Sequence, residues 1–356
     1  SRFADVESCS VDWQTYSSAR GTVLEIIQAG IEVPKGLFIF EDPPLHNLHR
    51  RLMARVFTAR RVALLESRMR AYCAAALDPF VGEDGFDFVR DLGADLPMQV
   101  ISDLVGIPAD DRVAVRDHFD EGLRIEEGRP PPRGGMAAAR ATDMSHFPEY
   151  LAYRREHPAD DLMTDLIETR FVDDEGVERH LSDEEVLNYT SLLAAAGNET
   201  TTKLIGWTGY LLGAHPDQRR QLAEEPSLVP GAIEEILRYE APSPVQARYV
   251  TREVEMHDAT MPEGSVLLLL TAAANRDERQ FVEPDRFDVR RTIDHHVSFG
   301  FGLHFCMGAA LARLEGRVAL EEVLARFPDW EVELDRAERV HTTTVRGWHR
   351  LPVLFS

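Results

Sequence analysis

Cysteine is scarce in this chain: Cys9, Cys73 and Cys306 are the only three in 356 residues. Three thiols so far apart exclude a disulfide framework and suit a reducing, cytoplasmic setting. Long apolar runs are missing too. Val266–Leu270 is typical of the longest, far short of the roughly 20 residues that a membrane-spanning helix needs. Positive charge is in deficit. Lys and Arg number 39 against 61 Asp and Glu, and the net −22 repels a phosphate backbone, which argues against nucleic acid as a partner. No internal repeat and no signal-peptide pattern is visible. The first residue is Ser1 rather than methionine, so a trimmed N-terminus is expected.

What is present is an ordinary 44% of hydrophobic residues, enough to bury a large core and still enclose a pocket. Helical periodicity dominates their spacing. Ser182, with Glu185 three residues later, forms a capping-box signature. The helix it opens meets no proline until Pro216, a length of roughly 50 Å. Its middle, Leu192–Thr202, carries small and β-branched residues that weaken a helix. A second helix is expected from near Pro230 to Tyr239, and a last one over Gly308–Phe327. Between them Pro242 and Pro244 force an extended path, with strands expected over Ala247–Val254 and Ser265–Thr271. The prolines and glycines of Glu126–Gly135 exclude helix and read as a lid or surface hinge, and Asp173–Gly176 reads as a turn. The expectation is a mainly α protein. A large helical body surrounds a long central helix, with a small β-rich portion, in a single domain over residues 1–356.

The segment Phe299–Gly308 reads FGFGLHFCMG. Its glycines admit backbone conformations closed to other residues, and Cys306 sits just before a helix start, where backbone N–H groups favour a thiolate. A thiolate in that setting is what an axial ligand of haem iron requires. Alone, a cysteine is more often a buried structural residue. The neighbours change the balance. Phe299, Gly302, Cys306 and Gly308 all match the pattern F-x-x-G-x-x-x-C-x-G. Glu235 and Arg238 give E-x-x-R, Ala196–Thr200 gives A-G-x-[DE]-T, and Pro284–Phe287 gives P-[DE]-R-F. Pro44, His46 and Arg50 add a weaker P-x-H-x-x-x-R. On these residues the chain resembles the cytochrome P-450 superfamily over essentially its whole length, and most of all its soluble bacterial members. Its N-terminus is shorter than usual for that family.

The resemblance implies haem b with the Cys306 thiolate as axial ligand, in a loop shaped by Phe299, Gly302 and Gly308. It implies His46, Arg50, Arg248 and His304 as donors to the haem propionates. Gly197, Glu199 and Thr200 would serve oxygen and proton delivery. Glu235, Arg238 and the meander arginine Arg286 would form a buried structural triad, with Arg290 as the alternative third member. Substrate would meet Ser18–Phe40, Leu123–Met136, Leu192–Ala196, Pro244–Gln246 and Thr342–Val345. The apolar side chains of the first of these suit a lipophilic small molecule. Arg124, Arg129 and Arg133 either greet a substrate carboxylate or stay solvated. His295 and His296 do not suggest a metal site, because adjacent side chains point apart and no third ligand is evident.

The implied activity is a monooxygenase reaction on a monomer: O2 is activated with electrons from a ferredoxin and ferredoxin reductase, and the substrate is hydroxylated or epoxidised. Oxidative coupling, desaturation or peroxide-driven oxidation at the same haem are the near alternatives. A haem-based ligand sensor is the non-enzymatic one, and no output domain favours it. One charge anomaly remains. Arg50, Arg51, Arg55, Arg60, Arg61, Arg68 and Arg70 crowd a segment whose one acid is Glu66, and Arg313 and Arg317 repeat the i,i+4 spacing of Arg51 and Arg55. A basic patch that steers an acidic ferredoxin is therefore expected.

Overall fold

The computed structural model describes residues 1–33, 36–54, 57–123, 147–173 and 175–355. The expected loop Glu126–Gly135, with Arg124, Arg129 and Arg133, lies outside the described residues, and so does Arg55. Eight helices place the site. They are α1 (Phe3–Val11), α2 (Leu24–Ala29), α3 (Leu45–Ala54), α4 (Glu66–Leu77), α5 (Leu96–Val105), α6 (Asp183–Ala214), α7 (Val229–Tyr239) and α8 (Ala309–Arg326).

Helix α6 is the centre. Ser182 accepts from the Glu185 N–H at 3.2 Å, and the Glu185 carboxylate accepts from the Ser182 N–H at 2.7 Å, so the capping box closes as its sequence requires. Asp183, Glu184 and Glu185 set negative charge on the positive end of the helix dipole. The helix runs 32 residues and stays regular through Leu192–Thr202, where weakening was expected. The threonines there do not compete destructively. The Thr200 hydroxyl donates to the Ala196 carbonyl at 2.8 Å, and the Thr202 hydroxyl is shared between the carbonyls of Gly93 at 2.7 Å and Asn198 at 3.0 Å. Packing supplies the rest. Most of α6 is buried on every side, as befits a central helix. Gly197 belongs to that packing, because a Cβ there would stand 3.0 Å from the side chain of Ile101 on α5. Its glycine thus has a close-approach reason besides the opening of the backbone.

The remaining boundaries follow local signals. Helix α7 begins at Val229 with Pro230 in its first turn, and α8 begins just after Gly308 and ends before Phe327. Strands are short. Tyr16–Ser17, Gln246–Val250 and Val266–Leu269 pair antiparallel in that order. The predicted strand Ala247–Val254 is divided, because its last part opens a separate hairpin, Val254–Met256 with Ala259–Met261. A second sheet joins Gly85–Asp87, Pro352–Phe355 and Trp330–Val332. The Asp173–Gly176 turn joins a hairpin of Arg170–Val172 and Glu178–His180 that the sequence did not reveal. One core gathers around Trp207, Phe88 and Trp330, and a second around Met53, Tyr189 and Phe147. Among the described residues, no helix is long and apolar enough to cross a membrane.

Candidate active site

Cys306 is held by a tightly folded loop. Gly300 and Gly302 take φ of 71° and 68°, a region that costs other residues strain. At Gly302 a Cβ would also stand 2.9 Å from Val11 of α1. The Cys306 N–H donates to the Phe299 carbonyl at 2.8 Å, which turns the loop back on itself just before α8. Of the three cysteines, Cys9 and Cys73 are buried, while Cys306 opens onto a cavity of about 480 Å³. Protein closes in on its other sides. That enclosure pushes the thiol pKa up, while the Gly308 N–H and the charges of Arg50 and Arg313 pull it down. Arg313 lies over the Phe299 ring at 4.6 Å and grips Glu234 with two contacts of 2.7 and 2.9 Å.

Beside the cysteine the structure gathers four cationic or protonatable groups. Arg50, Arg248 and His304 line the cavity, and His46 stands behind His304 with ring centroids 4.4 Å apart. Their protein partners are few and neutral. Arg50 donates to the Phe305 carbonyl at 2.6 Å, and Arg248 to the Ala247 carbonyl at 2.7 Å. The Nε2 atoms of His46 and His304 are buried with no hydrogen-bond partner. Burial and its cationic neighbours push His304 down to about 2, and burial lowers Arg248 to about 10. Such a cluster is costly unless an anion completes it. An apolar cavity with a thiol on one wall and orphaned donors along one edge fits haem b, whose two propionates carry the missing negative charge.

The opposite wall comes from α6. Gly197, Glu199 and Thr200 all line the same cavity. Glu199 is buried, with Lys203 Nζ at 4.0 Å. The expected substrate segments contribute Thr22, Val23, Glu25 and Ile26, Phe38 to Phe40, Leu192 with Leu193, Gln246, and Thr343 to Val345. Beyond its first residue, Leu123–Met136 is outside the described residues. Two carboxylates were not foreseen at this cavity. Glu315 of α8 is fully enclosed, and burial pushes its pKa up to about 8 against the lowering effect of a Thr201 hydrogen bond. The signal was there to read: Glu315 falls on the helical face of Leu311 and Val318, both buried. Glu25 of α2 is the other.

Away from the cavity, Glu235 and Arg238 make a buried bidentate pair at 2.6 and 2.8 Å. Arg238 also donates to the carbonyls of Asn275, Pro284 and Arg286. The third member differs from the expectation. Arg291 reaches Glu235 at 3.3 Å and is only 13% exposed, whereas the Arg286 side chain is 62% exposed and turns to Glu283 and Asp288. Arg290, the alternative, pairs with Glu225 at the surface. Arg286 precedes the buried Phe287 in a segment outside helix, so its own side chain is left facing out. The adjacent histidines separate as well, His295 to Glu7 at 2.7 Å and His296 to Glu234 at 3.3 Å.

Comparison with known proteins agrees with this geometry. The cytochrome P450 family model matches residues 145–352. Vitamin D(3) 25-hydroxylase of Pseudonocardia autotrophica is 37% identical over 358 residues, covering 99% of this chain and 86% of the relative. Cytochrome P450 107B1 of Saccharopolyspora erythraea is 39% identical over 315 residues, covering 88% and 75%. Among solved structures, a mutant of P450 EryK in complex with erythromycin B superposes with a TM-score of 0.87 at 34% identity, covering 99% of this chain and 89% of the other. The chain therefore belongs to the cytochrome P450 family, as a monooxygenase of the bacterial type whose cofactor is haem b with a cysteine thiolate as axial ligand.

Proposed function

We propose that this enzyme inserts one oxygen atom of O2 into a C–H or C=C bond of a lipophilic small molecule, using electrons from a ferredoxin-type partner. The observation that carries the reading is a single cavity bordered by Cys306, by His304, whose Nε2 has no partner, beside Arg50 and Arg248, and by Glu199 with Thr200. Haem b, when bound, supplies the iron at which dioxygen is activated. Cys306 would hold that iron; burial raises its thiol pKa, and the Gly308 N–H, Arg50 and Arg313 work against that rise. Arg50, Arg248 and His304 would take the propionates, with His46 packed behind His304. Thr200 donates to the Ala196 carbonyl, which fixes its hydroxyl and leaves the oxygen lone pairs to accept a proton-bearing group in the cavity. Glu199, buried and adjacent to Thr200 in sequence, passes protons to that point. The predominantly apolar lining favours a lipophilic substrate, and a relative named for hydroxylating vitamin D3 supports hydroxylation over the other outcomes.

The test is spectroscopic. The ferrous-carbonyl protein should show the strongly red-shifted Soret band of thiolate ligation, and Cys306→Ser should abolish it while Cys9→Ser and Cys73→Ser leave it in place. Survival of the band in Cys306→Ser would defeat the ligand assignment.

A further inference from the structure

Most of the cavity wall away from the cysteine is apolar, yet it includes a carboxylate that the reaction does not use. Glu25 sits in the first turn of α2, a helix of six residues closed by Gly30 in the left-handed region. Ile26 and Ile27 of the same helix are buried, while Gln28 faces solvent, so a charged side chain had an outward face within reach. Glu25 instead lines the cavity half-buried, and of its two carboxylate oxygens Oε2 is closed off by protein with no hydrogen-bond partner. It does not cap its helix, since the N-cap position is Val23 and no side chain caps that end. The nearby Arg20 does not neutralise it, because its guanidinium lies over the Tyr249 ring at 4.3 Å. Among the described residues the cations that line the cavity are Arg50, Arg248 and His304, all beside the cysteine.

A half-buried carboxylate on a mostly apolar wall, with no cation paired to it among the described residues, is costly unless something else supplies the partner. We infer that the substrate supplies it: Glu25 selects a lipophilic molecule bearing a cationic nitrogen, either a protonated tertiary amine or a quaternary ammonium. The inference rests on the monooxygenase reading above. In this arrangement the apolar lining takes the carbon skeleton, and the ion pair fixes which end of the molecule faces Glu25.

Three probes built on a ten-carbon chain separate charge from hydrophobicity: decyltrimethylammonium, decanol and decanoate. The quaternary nitrogen has no lone pair, so it cannot bind iron and confuse the spectrum. Titrated into the haem-loaded protein, decyltrimethylammonium should give the tightest low-to-high-spin shift. Glu25→Gln should weaken it about tenfold or more and leave decanol unchanged. Glu25→Lys should reverse the order and favour decanoate. Equal affinity for the three probes, no spin shift with any of them, or no effect of Glu25→Gln on the cation would overturn the inference while the carbonyl band still stands. Loss of that band in the parent protein would overturn the monooxygenase reading and this inference together.

Discussion

Two side chains on the cavity wall, Thr200 and Glu315, lend themselves to different tests. Thr200 is the hydroxyl proposed above to serve oxygen, and its hydrogen bond to Ala196 fixes that hydroxyl before any substrate arrives. Thr200→Ala should therefore retain haem and bind substrate almost normally, but divert reducing equivalents into hydrogen peroxide. Product formed per reductant consumed is the measurement, and parent-like coupling would remove Thr200 from the mechanism. Glu315 acts on stability. Its pKa is raised from the ordinary carboxylate range to about 8 by complete burial. Between pH 4.5 and about 8 the folded protein keeps a proton that the unfolded chain releases, so stability falls as pH rises through that window. Glu315→Gln cannot titrate, and the thermal midpoint of the haem-loaded variant should decline less from pH 5 to pH 8 than that of the parent. Parallel slopes would mean that Glu315 ionises in the folded state as it does unfolded.

At the scale of elements, the loop bearing Cys306 is braced from two sides. Helix α1 packs against Gly302, and α7 sends Glu235 and Arg238 into the meander that precedes the loop. The brace depends on which arginine completes it. Arg291 bonds Glu235 and also the carbonyls of Val282, Glu283 and Arg286, so it ties both arms of the meander to α7. Arg291→Ala leaves the fully buried Glu235 one cation short. It should cost about 3 kcal/mol or more and lower haem retention. Arg286→Ala removes an exposed pair and should cost less than about 1 kcal/mol. Denaturation midpoints with haem absorbance recorded on the same samples test the pair, and equal losses would restore Arg286 to the brace.

For the molecule as a whole, the anomaly is charge. The expected basic face is largely neutralised. Arg70 meets Glu66, Glu321 and Glu322, Arg317 meets Glu66 and Glu321, Arg61 meets Asp160 and Asp165, Arg68 meets Asp103, and Arg313 meets Glu234. These ion pairs explain why the like charges of Arg313 and Arg317 at i,i+4 are tolerated. Arg51 and Arg60 remain exposed without a carboxylate partner among the described residues. Steering of an acidic ferredoxin would then rest on these two arginines rather than on a broad patch. Arg51→Glu with Arg60→Glu should slow reduction by ferredoxin at low salt and flatten its dependence on salt, with reduction by dithionite unchanged. Identical ferredoxin kinetics across a salt series would place the docking surface elsewhere.

What the sequence by itself determined was local. The glycines around Cys306, the Ser182–Glu185 box and the proline-marked start of α7 each act within a few residues of chain, and the structure keeps their boundaries nearly to the residue. The order of the motifs along the chain also sufficed to recognise the family. Direction across the fold was decided only by tertiary packing. That Arg291 and not Arg286 meets Glu235, that Glu315 and Glu25 face the cavity, and that most of the basic segment is answered by acids up to some 250 residues away all depend on which surfaces α6, α7 and α8 bury together. A cap or turn is fixed by bond geometry between neighbours, whereas the partner of a long charged side chain is chosen by whichever distant element occupies the space in front of it.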